Sequence, residues 1–356
     1  MINILVVDDS ALVRKLISKI LSAEPDLNVQ FARNGREALE AIALARPDVV
    51  TLDVHMPEMD GLTCLDRIMI EHPCPVVMVS SETAAGAQAT LEALRLGAID
   101  FVTKPTGAIS LRIDDMAGPL IDKVRTAAGA KVRGSLRLRE RIRHRIGEGD
   151  RALSQKPRKQ TEPANGGPGL VLIGTSTGGP PALETLLTAL PATFPWPIVI
   201  AQHMPATFTG PFARRLDGIS ELTVQEVREP VLLEPGCAYI GRGDADVIIS
   251  RRGTGLFAMA APAQSGYPWH PSTDRLVRSA LNHLDPSRLV GVLMTGMGND
   301  GAEAMALIHA QGARTIAEAE TTAVVWGMPG ELVKAGGADF VVPLHRIAAQ
   351  LRKLVS

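Results

Sequence analysis

The run Leu170-Val171-Leu172-Ile173-Gly174-Thr175-Ser176-Thr177-Gly178-Gly179-Pro180-Pro181 passes from an apolar stretch, through glycines, into paired prolines. Four consecutive apolar residues suit a strand buried on both faces. Ala182 to Leu187 then places apolar residues at helical spacing, and prolines at a helix start give up no intrahelical N–H. A strand therefore feeds a glycine-rich turn that feeds a helix, the unit of a doubly wound parallel sheet. Ser176 stands at the turn in a Gly-x-Ser-x-Gly pattern, that of a nucleophile elbow. Small neighbours leave the hydroxyl clear, and the helix N-terminus favours negative charge beside it. The same stretch also reads as a phosphate- or nucleotide-binding turn, or as a tight turn without chemistry.

Around this unit the α/β alternation continues. Ile198 to Ala201, Val290 to Met294 and Thr315-Ile316 read as further strands, with amphipathic stretches at Leu183 to Leu190, Glu303 to His309 and Glu331 to Ala335. Between 222 and 260 the segments Thr223 to Val227, Cys237 to Ile240, Val247 to Ser250 and Leu256 to Ala258 are β-rich and separated by Gly and Pro, which predicts antiparallel hairpins at one end of the sheet. A serine nucleophile needs a base, and the base needs an orienting group. Of the eight histidines, His55, His72 and His144 lie outside this half, and His283, His309 and His345 fall in helix-like segments where a structural role is the default. His270 belongs to the aromatic loop Tyr267-Pro268-Trp269-His270 and is placed to line a pocket. His203 directly follows the strand ending at Gln202, on the sheet edge that carries Ser176. Asp300 follows Val290 to Met294 and the turn Thr295-Gly296-Met297-Gly298-Asn299. Three polar residues at strand C-terminal ends compose a Ser-His-Asp site, although Asp300 taken alone also reads as a helix cap. The glycines flanking Met297 leave its N–H able to turn toward the serine as an oxyanion donor.

The first 128 residues show the same alternation. Ile4 to Val7 ends at Asp8-Asp9, Val49 to Leu52 at Asp53, Val76 to Val79 at Ser80-Ser81, and Phe101-Val102-Thr103 at Lys104-Pro105. Ligands of such sheets bind beyond the strand C-terminal ends, where all these polar residues fall. Converging carboxylates repel unless a hard cation joins them, and oxygen ligands suit Mg²⁺. With Lys104 and Ser80 added, the set suits phosphoryl transfer onto Asp53; capping of the next helix by Asp8 or Asp9 is the plainer alternative.

Val7-Asp8-Asp9-Ser10, Leu52-Asp53-Val54-His55-Met56-Pro57-Glu58-Met59-Asp60-Gly61, Met78-Val79-Ser80 and Val102-Thr103-Lys104-Pro105 resemble the receiver domain of two-component response regulators. The resemblance implies a flavodoxin-like fold with Asp53 as phosphoacceptor and a sensor histidine kinase as phosphodonor. It implies Mg²⁺ held by Asp9 and Asp53, by Asp8 through water and by the His55 carbonyl. Ser80 and Lys104 would sense the phosphoryl group, and Phe101 would be the switching aromatic. In the second half, Gly174 to Gly179, Gln202-His203-Met204-Pro205, Pro235-Gly236-Cys237-Ala238-Tyr239-Ile240, Pro271-Ser272-Thr273-Asp274, Thr295 to Gly301 and Gly327-Met328-Pro329 resemble the catalytic domain of the chemotaxis protein-glutamate methylesterases. That resemblance implies a triad of Ser176, His203 and Asp300, with Met297 lining the oxyanion hole and Thr177 supporting the histidine. It implies hydrolysis of glutamate methyl esters, and of glutamine side chains, on methyl-accepting chemotaxis receptors, with no cofactor in the catalytic domain. Thr175, Arg242-Gly243, Trp269-His270 and Glu318-Ala319-Glu320 depart from the family's usual residues at the rims of the site.

The expected organisation is a receiver at 1–128, a basic linker at 129–168 and a Rossmann-like catalytic domain at 169–356. The linker is rich in Lys and Arg, then in Pro and Gly; it has no aromatics for stacking on bases, so a solvated tether touching an acidic partner is the expectation, rather than a nucleic-acid or membrane contact. In 356 residues, 46% are hydrophobic and 21% charged, and the net charge is -1. That permits sizeable cores and gives no global attraction to nucleic acid or membrane. Three cysteines without metal spacing suit a reducing compartment. No signal-like core precedes the first strand and no apolar run reaches ~18 residues, so a cytoplasmic protein without membrane insertion is expected. The alternatives are a phosphorylation-controlled docking protein with little esterase activity and a transcriptional regulator, although no helix-turn-helix pattern follows the receiver.

Overall fold

The computed structural model describes residues 1–81, 83–104, 113–130, 132, 169–253 and 255–355. The chain divides into two compact units, with the division inside the stretch 133–168. The expected linker therefore falls almost wholly outside the described residues.

The first unit alternates β1 (Ile2–Val7), α1 (Ala11–Leu21), β2 (Leu27–Ala32), α2 (Gly35–Ala45), β3 (Val49–Asp53), α3 (Gly61–Glu71), β4 (Val76–Ser80), α4 (Ala84–Leu96), β5 (Asp100–Thr103) and α5 (Ile113–Ala128). The strands form one parallel sheet in the order β2-β1-β3-β4-β5. The chain steps from β1 to β2 and then reverses to β3, so the crevice between β1 and β3 is the switch point where ligands bind. β3 and β4 are buried throughout, as strands covered by helices on both faces must be. β2 is absent from the expected strands because, at the sheet edge, it is half exposed and carries no apolar run. Ser10, Asn34, Asp60 and Thr83 cap the first four helices through their side chains. Ser10 thus supplies the side-chain cap for α1, and Asp8 Oδ1 accepts from the Ser10 N–H at 2.9 Å.

In the second unit β6 (Leu170–Thr175), α6 (Gly179–Leu187), β7 (Ile198–Gln202), α7 (Ala206–Ile219) and β8 (Thr223–Val227) follow one another. Then come β9 (Val231–Leu232), β10 (Cys237–Gly241), β11 (Ala245–Arg252), β12 (Gly255–Pro262) and α8 (Thr273–Leu281). The chain finishes with β13 (Leu289–Leu293), α9 (Ala302–Ala310), β14 (Arg314–Glu318), α10 (Met328–Lys334), β15 (Phe340–Val342) and α11 (Leu344–Val355). Seven strands make a parallel sheet ordered β15-β14-β13-β6-β7-β10-β8. β6 leads outward to β7 on one side, and β13 returns on its other side, so the switch point lies at the C-terminal ends of β6 and β13. This corrects the hairpin expectation for 222–260. Thr223 to Val227 and Cys237 to Ile240 belong to the parallel sheet, with Ala238 in register with Ile198 and Val224. β10 is buried along its whole length; α7 lies on the path from β7 to β10, while β8 and β10 pair in parallel across residues 228–236, which carry β9 and no helix. Only β11 and β12 form an antiparallel hairpin, with β9 added at its side. No helix among the described residues is long and apolar enough to cross a membrane.

Candidate functional site

The β6–α6 turn positions Ser176. Gly178 takes φ 77, a left-handed backbone that glycine adopts without strain, and a Cβ there would lie 2.7 Å from the Val324 side chain. Pro180 and Pro181 open α6 as expected. Ser176 is half-buried; its N–H donates to the Thr295 carbonyl at 3.0 Å, and its carbonyl accepts from Gly179 N–H at 2.7 Å. Thr175 is in register with Gln202, so Ser176 and His203 are the next residues of two adjacent strands, whose axes lie about 4.8 Å apart. The His203 N–H closes this edge on the Thr175 carbonyl at 3.1 Å.

His203 Nε2 lies 2.8 Å from Asp300 Oδ2, while Nδ1 is buried and has no hydrogen-bond partner. The imidazole is 9% exposed and the Asp300 side chain 3%, so this pair is shielded from water. Asp300 also accepts from Thr273 N–H at 2.6 Å, Asp274 N–H at 3.0 Å and the Ser272 hydroxyl at 2.9 Å. Its carboxylate therefore sits on the N-terminus of α8, where negative charge is favoured. Burial pushes the Asp300 carboxyl up, but the bonds from His203, Thr273 and Asp274 outweigh it and hold the group below the usual carboxylate range. An ionised Asp300 only accepts, so the imidazole proton resides on Nε2 and Nδ1 offers a lone pair.

Behind the serine, Thr295 ties three segments together. Its carbonyl accepts from Ser176 N–H and the Thr175 hydroxyl, and its own hydroxyl donates to the Thr177 carbonyl and accepts from Val325 N–H. Its N–H donates to the buried Glu318 carboxyl at 2.9 Å, a group that burial pushes up against the pull of that N–H. Met297 is half-buried in the same turn, beyond Gly296, where a Cβ would lie 2.8 Å from the Ser176 Cβ. Thr177 is buried beside the serine.

In the first unit, one ligand atom from each of Asp8, Asp9 and Asp53 lies within 4.8 Å of the others. Lys104 Nζ stands 2.9 Å from Asp8 Oδ2 and 2.8 Å from Asp53 Oδ2. Burial pushes the Asp53 carboxyl up, and Lys104 opposes it. The clustered oxygens at the crevice mouth fit a hard divalent cation. Ser80 is fully buried, its hydroxyl 3.3 Å from the Gly86 carbonyl, and Lys104 N–H donates to the Ser80 carbonyl. Phe101 is buried, with the Lys123 ammonium 5.0 Å from its ring centroid. The His55 side chain is exposed, and the His55 backbone N–H donates to Asp53 Oδ1 at 3.3 Å.

Several participants escape a search for chemistry-bearing side chains. Gln202 is 2% exposed, and its amide donates to the carbonyls of both Ser176 and His203, at 3.1 and 3.0 Å. Ser272 and Thr273 grip Asp300. Only the polar character of a strand end, at Gln202, and of a helix start, at Ser272, signals these roles. His270 bonds the buried Asp246 through Nδ1 at 2.9 Å, and Arg275 bonds the same carboxylate at 2.6 Å.

A receiver-like sheet with an acidic cluster at its switch point, followed by a parallel sheet with serine, histidine and aspartate at its strand ends, defines a response regulator whose output unit is a hydrolase. Residues 171–351 match the model of the CheB methylesterase family, and residues 4–113 that of the response regulator receiver domain. The chain is 57% identical to the protein-glutamate methylesterase/protein-glutamine glutaminase 2 of Rhodopseudomonas palustris (strain BisB18), over 98% of this chain and 97% of that one. It is 52% identical to the corresponding protein 3 of Rhodospirillum rubrum, over 100% and 97%. The solved CheB methylesterase catalytic domain of Thermotoga maritima superposes with a TM-score of 0.51 at 37% identity, covering 53% of this chain and 99% of that domain. The chain belongs to the CheB methylesterase family and carries a response regulator receiver domain.

Proposed function

We propose that this chain is a phosphorylation-activated serine hydrolase that removes methyl groups from glutamate side chains of methyl-accepting chemotaxis receptors and deamidates receptor glutamines. The curated relatives are named for both reactions. The observation that carries the reading is the His203–Asp300 pair: Nε2 is spent on the carboxylate, and Nδ1 has no hydrogen-bond partner, on the residue that follows the strand adjacent to the one leading into Ser176.

Ser176 Oγ attacks the ester carbonyl carbon while His203 Nδ1 takes the hydroxyl proton. Asp300 fixes the tautomer and stabilises the imidazolium. The Met297 N–H faces the oxyanion, a contribution typically worth ~10²–10³ in rate, and Thr177 supports the imidazole. The intermediate collapses, the ester C–O bond breaks, and His203 returns its proton to the departing methoxide. Water then repeats the sequence on the glutamyl–serine ester and frees the carboxylate. With a glutamine side chain the departing group is ammonia. The chemistry in this unit requires no cofactor.

In the receiver, Asp53 accepts a phosphoryl group from a sensor histidine kinase. Asp8, Asp9, Asp53 and the His55 carbonyl are the groups that would hold Mg²⁺, which when bound neutralises charge on the transferring oxygens. Lys104 and Ser80 read the phosphoryl group, and Phe101 follows them. The substrate segments are the cytoplasmic parts of receptors, so the enzyme works in the cytoplasm, from a receiver at 1–128 through a linker at 129–168 to the catalytic unit at 169–356. Methanol release from methylated receptor tests the chemistry: Ser176→Ala, folded as judged by circular dichroism, should release none, and undiminished release would refute the assignment of Ser176.

A further inference from the structure

Stacked on the ring of His203 lies a side chain that the proposed triad does not require. The indole of Trp269 stacks on the imidazole with centroids 6.0 Å apart and planes within 8°. The benzo ring of the same indole lies 2.8 Å from where a Cβ on Gly298 would stand, and Gly298 takes φ 82 in the turn that carries Met297. Trp269 is only half-buried and leads directly into His270, whose imidazole is tied to the buried Asp246. The ring is therefore held from behind and wedged between the base and the turn opposite it.

We propose that Trp269 is a positioning residue for the hydrolysis: its ring face fixes the plane of His203 and stabilises the imidazolium that forms when Ser176 attacks. The inference rests on the assignment of His203 as the base. The geometry supports it in two ways. Parallel rings 4.5–7 Å apart attract, which restricts rotation about the Nε2–Asp300 bond. A cation about 6 Å from a tryptophan centroid is attracted to the ring quadrupole, and the attraction strengthens where water is excluded. His203 is neutral before attack and cationic during it, so the second effect favours the transition state over the ground state.

Among the described residues, the charged groups joined to the imidazole by hydrogen bonds are Asp300, which bonds it, and Asp274, whose N–H bonds Asp300. Beyond them lie Asp246, paired with His270 and Arg275, and Asp244, which accepts from Ala206 N–H after β7. None of these is altered by changing Trp269 to another apolar residue, so a change in the titration of His203 reports the ring.

The test compares Trp269→Leu, which keeps apolar bulk without a ring face, with Trp269→Phe, which keeps a face. Basal methanol release from methylated receptor is measured across pH with the full chain and no phosphodonor, so that receiver chemistry stays out of the profile. Trp269→Leu should lower kcat roughly 3- to 30-fold with KM within about twofold. It should also move the acid limb of kcat/KM down by about half a pH unit or more, because His203 loses the partner of its cationic form. Trp269→Phe should stay within about threefold of the parent and keep the acid limb. A Leu variant with kcat and acid limb unchanged would overturn the proposal. So would a raised KM at constant kcat, which would make the indole a substrate contact, or a Phe variant as slow as Leu. A Ser176→Ala control that still releases methanol would strike the triad itself; an inactive control beside an unaffected Leu variant would strike only the role of Trp269.

Discussion

Asp300→Asn changes one atom of the pair on which the proposed chemistry depends. Oδ2 accepts from His203 Nε2 and Thr273 N–H, and Oδ1 from the Ser272 hydroxyl and Asp274 N–H. An amide nitrogen at the first position meets the Thr273 N–H and forces His203 to put its proton on Nδ1, the wrong tautomer for accepting from Ser176. At the second position the hydroxyl of Ser272 can turn to accept, the Asp274 N–H loses its partner, and the tautomer survives without the charge that steadies the imidazolium. The wrong tautomer costs about 10⁴ in kcat in serine protease triads, so a loss of about 10²–10⁴ is expected, according to how the two orientations divide. Either orientation leaves a buried donor unsatisfied, which costs about 1–3 kcal/mol of stability at neutral pH. The carboxyl of Asp300 is held below its unfolded value. Its contribution is therefore present above the unfolded pKa of ~3.9 and lost as pH falls through the lower folded value. The gap in melting temperature between parent and variant should accordingly narrow below about pH 4. Methanol release from methylated receptor, with parallel thermal melts, reads both effects. A variant within tenfold of the parent in kcat would refute the role of Asp300, whatever its stability.

Ser176→Ala and His203→Ala should each abolish methanol release, and the double variant should lose little more than either, because triad members act as a unit; additive losses would separate the two residues. Asp53→Asn should keep basal hydrolysis and lose stimulation by a small phosphodonor, and phosphate incorporation persisting in that variant would mean another acceptor. A fragment of residues 165–356 should hydrolyse receptor esters faster than the unphosphorylated full chain and ignore phosphodonor; a slower fragment would mean that the receiver activates rather than restrains.

The parts of the fold that were legible from the sequence are those where burial leaves a continuous apolar run. β3, β4, β6, β7 and β13 are buried along their whole length and announce themselves. β2 and β15 are partly exposed edge strands and do not. β8 and β10 were visible as strands, but their direction was not: short β-rich segments separated by Gly and Pro look alike whether the chain turns straight back between them or, as here, crosses over through residues 228–236 to pair in parallel. The candidate site could be named because strand C-terminal ends gather at a parallel-sheet edge, where Ser176, His203 and Asp300 all fall, and of the contacts this implies the structure holds that between His203 and Asp300. The choice of imidazole nitrogen was not legible. It follows from Asp300 reaching His203 from the far side of β6, on the N-terminus of α8, and that depends on strand order. The amide of Gln202 and the ring of Trp269 were equally hidden, since neither residue type implies a task until its neighbours are fixed.

Methanol release from methylated receptor by the full chain, measured with and without a small phosphodonor in the presence of Mg²⁺, joins the two units in one number. Release that rises on adding phosphodonor, and that vanishes in Ser176→Ala while Asp53 is still phosphorylated, is the expected result. Receptor esters left intact by a chain that is demonstrably phosphorylated on Asp53 would contradict the proposal that this is a phosphorylation-activated methylesterase.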